Sequence, residues 1–106
     1  MMSVQAVMRH RPGTERMALR FVLLWTRPGY RSTYNEQGGD LGRWRHPTNP
    51  PTLGQKRGDV WRVTQRVRNL APEGVYQFRV DFRWTGTGGK TLYQTSLLSS
   101  RCRQSR

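Results

Sequence analysis

Carboxylates are scarce in this sequence: six Asp and Glu stand against 19 Lys and Arg over 106 residues, leaving a formal charge of +13. Lysine is nearly missing too, because 17 of the 19 cations are Arg and only Lys56 and Lys90 are Lys. A surplus of this size attracts phosphates and anionic surfaces at low ionic strength whatever the protein's task, so non-specific polyanion binding is expected and the sign alone names no partner. Arg in place of Lys follows from GC-rich codon usage as readily as from a ligand. Cys102 is the single cysteine, which excludes an internal disulfide and says nothing about compartment. Apolar runs are short. The longest, Phe21 to Trp25, lies between Arg20 and Arg27, far from the roughly 20 residues that cross a bilayer as a helix, so no transmembrane segment is expected. Met1 to Met8 lacks the basic start and apolar centre of a secretory signal. His10 and His46 are the only imidazoles; with one distant cysteine they do not supply the three or four ligands of a metal site. Neither sits in a catalytic motif, and no two carboxylates are paired. A non-catalytic protein without a cofactor is expected, and 106 residues allow one domain with one core and no deep cleft.

What the chain does have is alternation. From Tyr76 to Trp84 the residues Tyr76, Phe78, Val80, Phe82 and Trp84 share one face, and Gln77, Arg79, Asp81 and Arg83 the other. An apolar face with four aromatics must be buried against a second layer while the charged face meets water, as in one sheet of a two-sheet antiparallel structure. Met17, Leu19, Phe21, Leu23 and Trp25 form a second such face, and Trp61, Val63 and Val67, interrupted by Gln65, a third. Ser3 to Met8 reads as a short first strand with Val4, Ala6 and Met8 on one side, and Arg11-Pro12-Gly13-Thr14 as a turn. Thr85 to Lys90 is a glycine-rich hairpin turn, Thr91 to Cys102 a last strand of weaker alternation, and 103–106 a frayed tail. No helical periodicity or internal repeat is present, so the expected fold is an all-β, two-sheet antiparallel β-sandwich spanning 1–106.

The corner before the strongest strand, Leu70-x-Pro72-x-x-x-Tyr76, resembles the tyrosine corner of fibronectin type III and related immunoglobulin-like domains. Leu23-x-Trp25-Thr26-x-Pro28 is similar to the second strand of fibronectin type III domains, where a Trp packs under the sheet. The resemblance implies structural roles for Trp25, Trp61, Leu70, Pro72, Tyr76, Phe78, Phe82 and Trp84, with the Tyr76 hydroxyl bonded to backbone at or before Pro72. It places Leu23, Trp25 and Trp61 across the sandwich from Phe78, Phe82 and Trp84. Arg20, Arg62, Arg66 and Arg68 then face out from one sheet, and Arg79 and Arg83 from the other. The family's modules bind partners through loops or sheet edges, usually outside the cell or on its surface; for this chain that implies an upstream segment carrying the export signal.

Residues 29–58 hold most of the Gly and Pro, including Pro47-Thr48-Asn49-Pro50-Pro51, which cannot be interior strand. They read as a long loop, part of which pairs as an edge strand. Its Tyr30, Arg31, Tyr34, Arg43, Trp44 and Arg45 form the candidate partner-binding patch, since Arg and aromatic rings are favoured at interfaces. Gly88-Gly89-Lys90-Thr91 matches the end of a phosphate-binding loop, but Trp84 occupies the position of that loop's first glycine and a strand follows where a helix is needed. Two functions remain: an interaction or structural module for an unknown protein or surface ligand, and a basic nucleic-acid or polyanion binder, which would need exposed rings for base stacking.

Overall fold

The computed structural model describes residues 2–27, 33–36, 41–48, 50–67 and 74–104, and within these the chain is all-β. Seven strands form among the described residues: β1 (Met2–Arg9), β2 (Arg16–Thr26), β3 (Thr33–Glu36), β4 (Val60–Val67), β5 (Gly74–Thr85), β6 (Thr91–Leu98) and β7 (Cys102–Gln104). β1 and β4 pair as a two-stranded antiparallel sheet. A five-stranded antiparallel sheet runs in the order β3-β2-β5-β6, with β7 beside the start of β5.

The two sheets bury their alternating faces against each other. Met17, Leu19, Phe21 and Leu23 of β2 and Tyr76, Phe78, Val80, Phe82 and Trp84 of β5 meet Met2, Ala6 and Met8 of β1 in one core, with Trp25, Trp61, Val63 and Val67 half-buried at its margin. The Trp84 indole N–H donates to the Arg9 carbonyl at 2.8 Å, which ties the end of β1 over β5. Arg11 to Thr14 is a tight turn, closed by the Thr14 N–H on the Arg11 carbonyl at 3.0 Å; Gly13 at φ 84° supplies the conformation that other residues disfavour there.

One expectation is corrected by the register. β2 lies beside β5 within the same sheet, with Leu23 opposite Phe78 and Trp25 opposite Tyr76, so these residues are lateral neighbours and do not meet across the sandwich. Alternation tells which side chains share a face, and two strands with equal apolar faces satisfy it equally well side by side or stacked. Arg20 therefore shares its outer face with Arg79 and Arg83 instead of opposing them; Arg62 and Arg66 are exposed on β4. Inside the long 29–58 segment, β3 pairs with Leu23–Thr26, and further along the same edge Arg45 and Leu19 exchange backbone hydrogen bonds at 2.8 and 3.1 Å. β7 extends pairing to Gln104, two residues into the segment expected to fray.

The Trp25 indole lies across Gly74, so close that a Cβ built on Gly74 would fall 1.9 Å from the indole nitrogen. Gly74→Ala should therefore overpack this corner and cost about 1–3 kcal/mol. Thermal melting checks it, and a Gly74→Ala variant melting at the parent temperature would contradict the packing.

Candidate functional site

The outer face of the larger sheet carries a buried carboxylate. Asp81 projects from the middle of β5 and is only 3% exposed. Arg20 donates to it twice, from Nε at 2.9 Å and Nη2 at 2.7 Å, Arg79 donates from Nε at 3.0 Å, and the Ser96 hydroxyl at 2.6 Å. Desolvation pushes this carboxyl upward, but the hydrogen bonds from Ser96, Arg20 and Arg79 outweigh it and hold the group below its ordinary value. The antiparallel register explains the cluster: Arg20 and Ser96 are the two cross-strand partners of Asp81.

Trp44 lies on the same face. The pairing of Arg45 with Leu19 carries the preceding residue onto the outer surface, where the Trp44 ring sits 4.5 Å from the Arg20 guanidinium and 4.2 Å from that of Arg83. The half-buried indole is clamped by two cations, each contact contributing on the order of 0.5–1 kcal/mol where water has access. The ring expected to offer a stacking surface is engaged within its own sheet.

The structure divides the predicted patch. Arg43 is exposed, whereas Arg45 turns to the opposite side, donates to the Gln65 side chain of β4 and places its guanidinium 5.5 Å from the Phe21 ring. Tyr34 belongs to β3 with its Cα opposite Trp25; Tyr30, Arg31, Arg68, Leu70 and Pro72 lie outside the described residues, and with them the corner itself. Tyr76 is buried, as are Phe78, Phe82 and Trp84. Gln65, the exception in the apolar face of β4, has its reason in Arg45.

His10 has a local task. His10 Nδ1 donates to the Gly54 carbonyl at 2.6 Å, and Asp59 accepts the Gly54 N–H at 2.8 Å, so the three residues close the 50–59 loop. Backbone hydrogen bonds from Gly54 and Lys56 hold the Asp59 carboxyl below its usual range. His46 is exposed beside Arg45, Trp61 and Arg62 along an open groove of about 590 Å³. Among the described residues no group of three His, Cys, Asp or Glu could hold a metal, and no helix is long and apolar enough to cross a membrane. The Thr87–Gly89 segment is a single 3-10 turn in the β5–β6 hairpin, followed by β6.

Sequence reasoning missed the surface along β6. This strand is exposed on both faces, and Leu92, Tyr93, Leu97 and Leu98 are 44, 42, 61 and 62% exposed. Tyr93 and Leu97 are the partners of Trp84 and Val80, so they share the core-facing side of the sheet yet stay wet, because the two strands opposite do not reach over them. The signal was present in the weak alternation of Thr91 to Leu98, which fits neither a half-buried strand nor a polar edge.

Comparison with protein-family models, with curated proteins and with solved structures finds no match to this chain.

Proposed function

We propose that the protein is a non-catalytic interaction module of the immunoglobulin-like class, in which the basic charge is incidental to recognition. The observation that carries this reading is the exposure of Leu92 and Tyr93 at one end of β6 and of Leu97 and Leu98 at the other, apolar side chains more exposed than a packed sheet requires; exposed apolar side chains gathered on one element mark an interaction surface. The sheet arrangement supports the class. The pairs β1–β4 and β2–β5–β6 correspond to the B–E and C–F–G pairings of that sandwich, with β3 beside β2 as an added edge. On this plan β2 takes the place of the third strand, not the second, and Trp25 is the tryptophan carried there.

The polyanion-binding reading is disfavoured by what the arginines already do. Arg20 and Arg79 are bound to Asp81, Arg20 and Arg83 hold Trp44, and Arg62 and Arg66 face away on the other sheet. Titration with a single-stranded oligonucleotide at increasing salt tests the choice. Binding should fade between about 50 and 200 mM salt, and fade further by similar steps as Arg62, Arg66 or Arg43 is neutralised. Strand-selective, sub-micromolar affinity persisting at 150 mM salt would overturn the interaction-module reading.

A further inference from the structure

We infer that the free edge of β1 accepts an extended, acidic segment of a partner protein as an added strand, and that Tyr93 and Leu97 are the floor on which its apolar side chains rest. This rests on the interaction-module reading and names its partner. Among the described residues β1 pairs only with β4, so the backbone N–H and C=O groups of alternate residues point to its outer edge; the Arg9 carbonyl at the end of that edge is taken by the Trp84 indole, which leaves the edge before it as the template. The Trp84 indole on the Arg9 carbonyl sets the end of β1 over β5, and Arg11 just past it reaches the Tyr93 ring, so β6, next to β5 in the larger sheet, lies on the side of that edge, with Tyr93 and Leu97 42 and 61% exposed. A strand hydrogen-bonded to β1 would continue the smaller sheet over β6 and close the gap in one step. Pairing with the outer edge of β6 would instead extend the larger sheet and leave these two side chains uncovered, so β1 is the template.

Charge selects the occupant. Neither β1 nor β6 contains a carboxylate, while Arg9, Arg11, Lys90 and Arg101 stand at their ends. The Arg11 guanidinium lies 3.9 Å from the Tyr93 ring, at the mouth of the gap. A second copy of this chain would bring another +13 to the same edge, so self-pairing is opposed where an acidic strand is attracted. The fitting ligand is a segment with apolar side chains at every second position and carboxylates between them, backbone hydrogen bonds giving affinity and the alternate positions giving specificity.

The probe is a blocked, fluorescent ten-residue peptide alternating valine and glutamate, compared at 150 mM salt with deca-glutamate and with the alternating peptide N-methylated on every second residue. Anisotropy should show the alternating peptide binding at least tenfold more tightly than either control, with amide shifts running along β1 and β6. Leu97→Ser should weaken it at least tenfold, whereas Leu98→Ser, on the other face of the same strand, should leave it unchanged. Both leucines are largely exposed, so neither change threatens folding. Equal binding of deca-glutamate, no amide shift at 1 mM peptide, or a dimer abolished by Leu97→Ser would each overturn the inference. Shifts confined to the Trp61 groove would also overturn it while leaving the interaction-module reading standing. Strand-selective oligonucleotide affinity at the same salt is the separate result that defeats that reading.

Discussion

Phe78→Ala should remove about 3–5 kcal/mol of stability, a large part of what a domain of this size possesses. The ring is fully buried, meets Phe21 edge-on with centroids 6.3 Å apart, and lies beside Leu23 on β2. The backbone around it is held on its other side as well: the Ser99 N–H donates to the Phe78 carbonyl at 2.9 Å, and the Phe78 N–H donates to the Ser99 hydroxyl at 2.9 Å. With β2 on one side and the Ser99 segment bonded on the other, the site cannot collapse around the lost ring, and the cavity cost adds to the transfer cost. Urea unfolding should show the midpoint falling with an unchanged slope. Leu98→Ala, on the exposed strand, should stay within about 0.5 kcal/mol of the parent. Equal effects from the two substitutions would mean that the face assignment of β5 is wrong.

Asp81→Asn is the second large effect, and it carries a pH signature. The side chain keeps its shape but loses the charge that Arg20 and Arg79 satisfy in a site nearly closed to water, and a loss of roughly 1–3 kcal/mol at pH 7 is expected. The folded carboxyl titrates below its unfolded counterpart, which lies near about 3.9. Its contribution is therefore complete above that unfolded value and disappears as pH falls through the folded one. The difference between the parent and the Asp81→Asn variant should be constant from pH 5 to 7 and shrink below about pH 4 until the curves converge. Asp59 titrates in the same acid window, so the informative quantity is the difference between the two proteins and not either curve alone. A gap that persists unchanged to pH 2 would remove the ion pairs from the explanation.

Much of this architecture can be read from residue order because burial writes a period of two into a strand. β5 shows it without a break from Tyr76 to Trp84, and the odd residues of β2 from Met17 to Leu23 are buried as their pattern requires. Pairing is less legible: the choice between β2 beside β5 and β2 facing it depends on connections and register, which the two equal faces leave open. β3 left no signal, since Thr33-Tyr34-Asn35-Glu36 is too short for a period to emerge. The outer-face cluster was half visible. Asp81 is the one acid among the outward residues of β5, which marks it for cross-strand pairing, but Arg20 as its partner follows only from the register. Trp44 misleads through its neighbours in sequence. Arg43 and Arg45 flank it and suggest a loop patch, yet its cations come from two other strands, and Arg45 reaches the far side of the sheet to Gln65. The weak alternation of β6 hinted that neither of its faces is packed, but where the gap above it lies depends on what stands opposite, which the β6 residues alone do not encode.

Whether the rings of this basic protein serve the fold or a ligand is decided most directly by Trp44→Ala, with thermal melting and oligonucleotide affinity at 150 mM salt measured on the same sample. The clamp between Arg20 and Arg83 predicts a lower melting temperature, by the few degrees that about 1–2 kcal/mol represents in a domain of this size, and no change in affinity. An unchanged melting temperature with affinity reduced by the roughly 1–3 kcal/mol of a lost base stack would contradict the account and make Trp44 the centre of a nucleic-acid site.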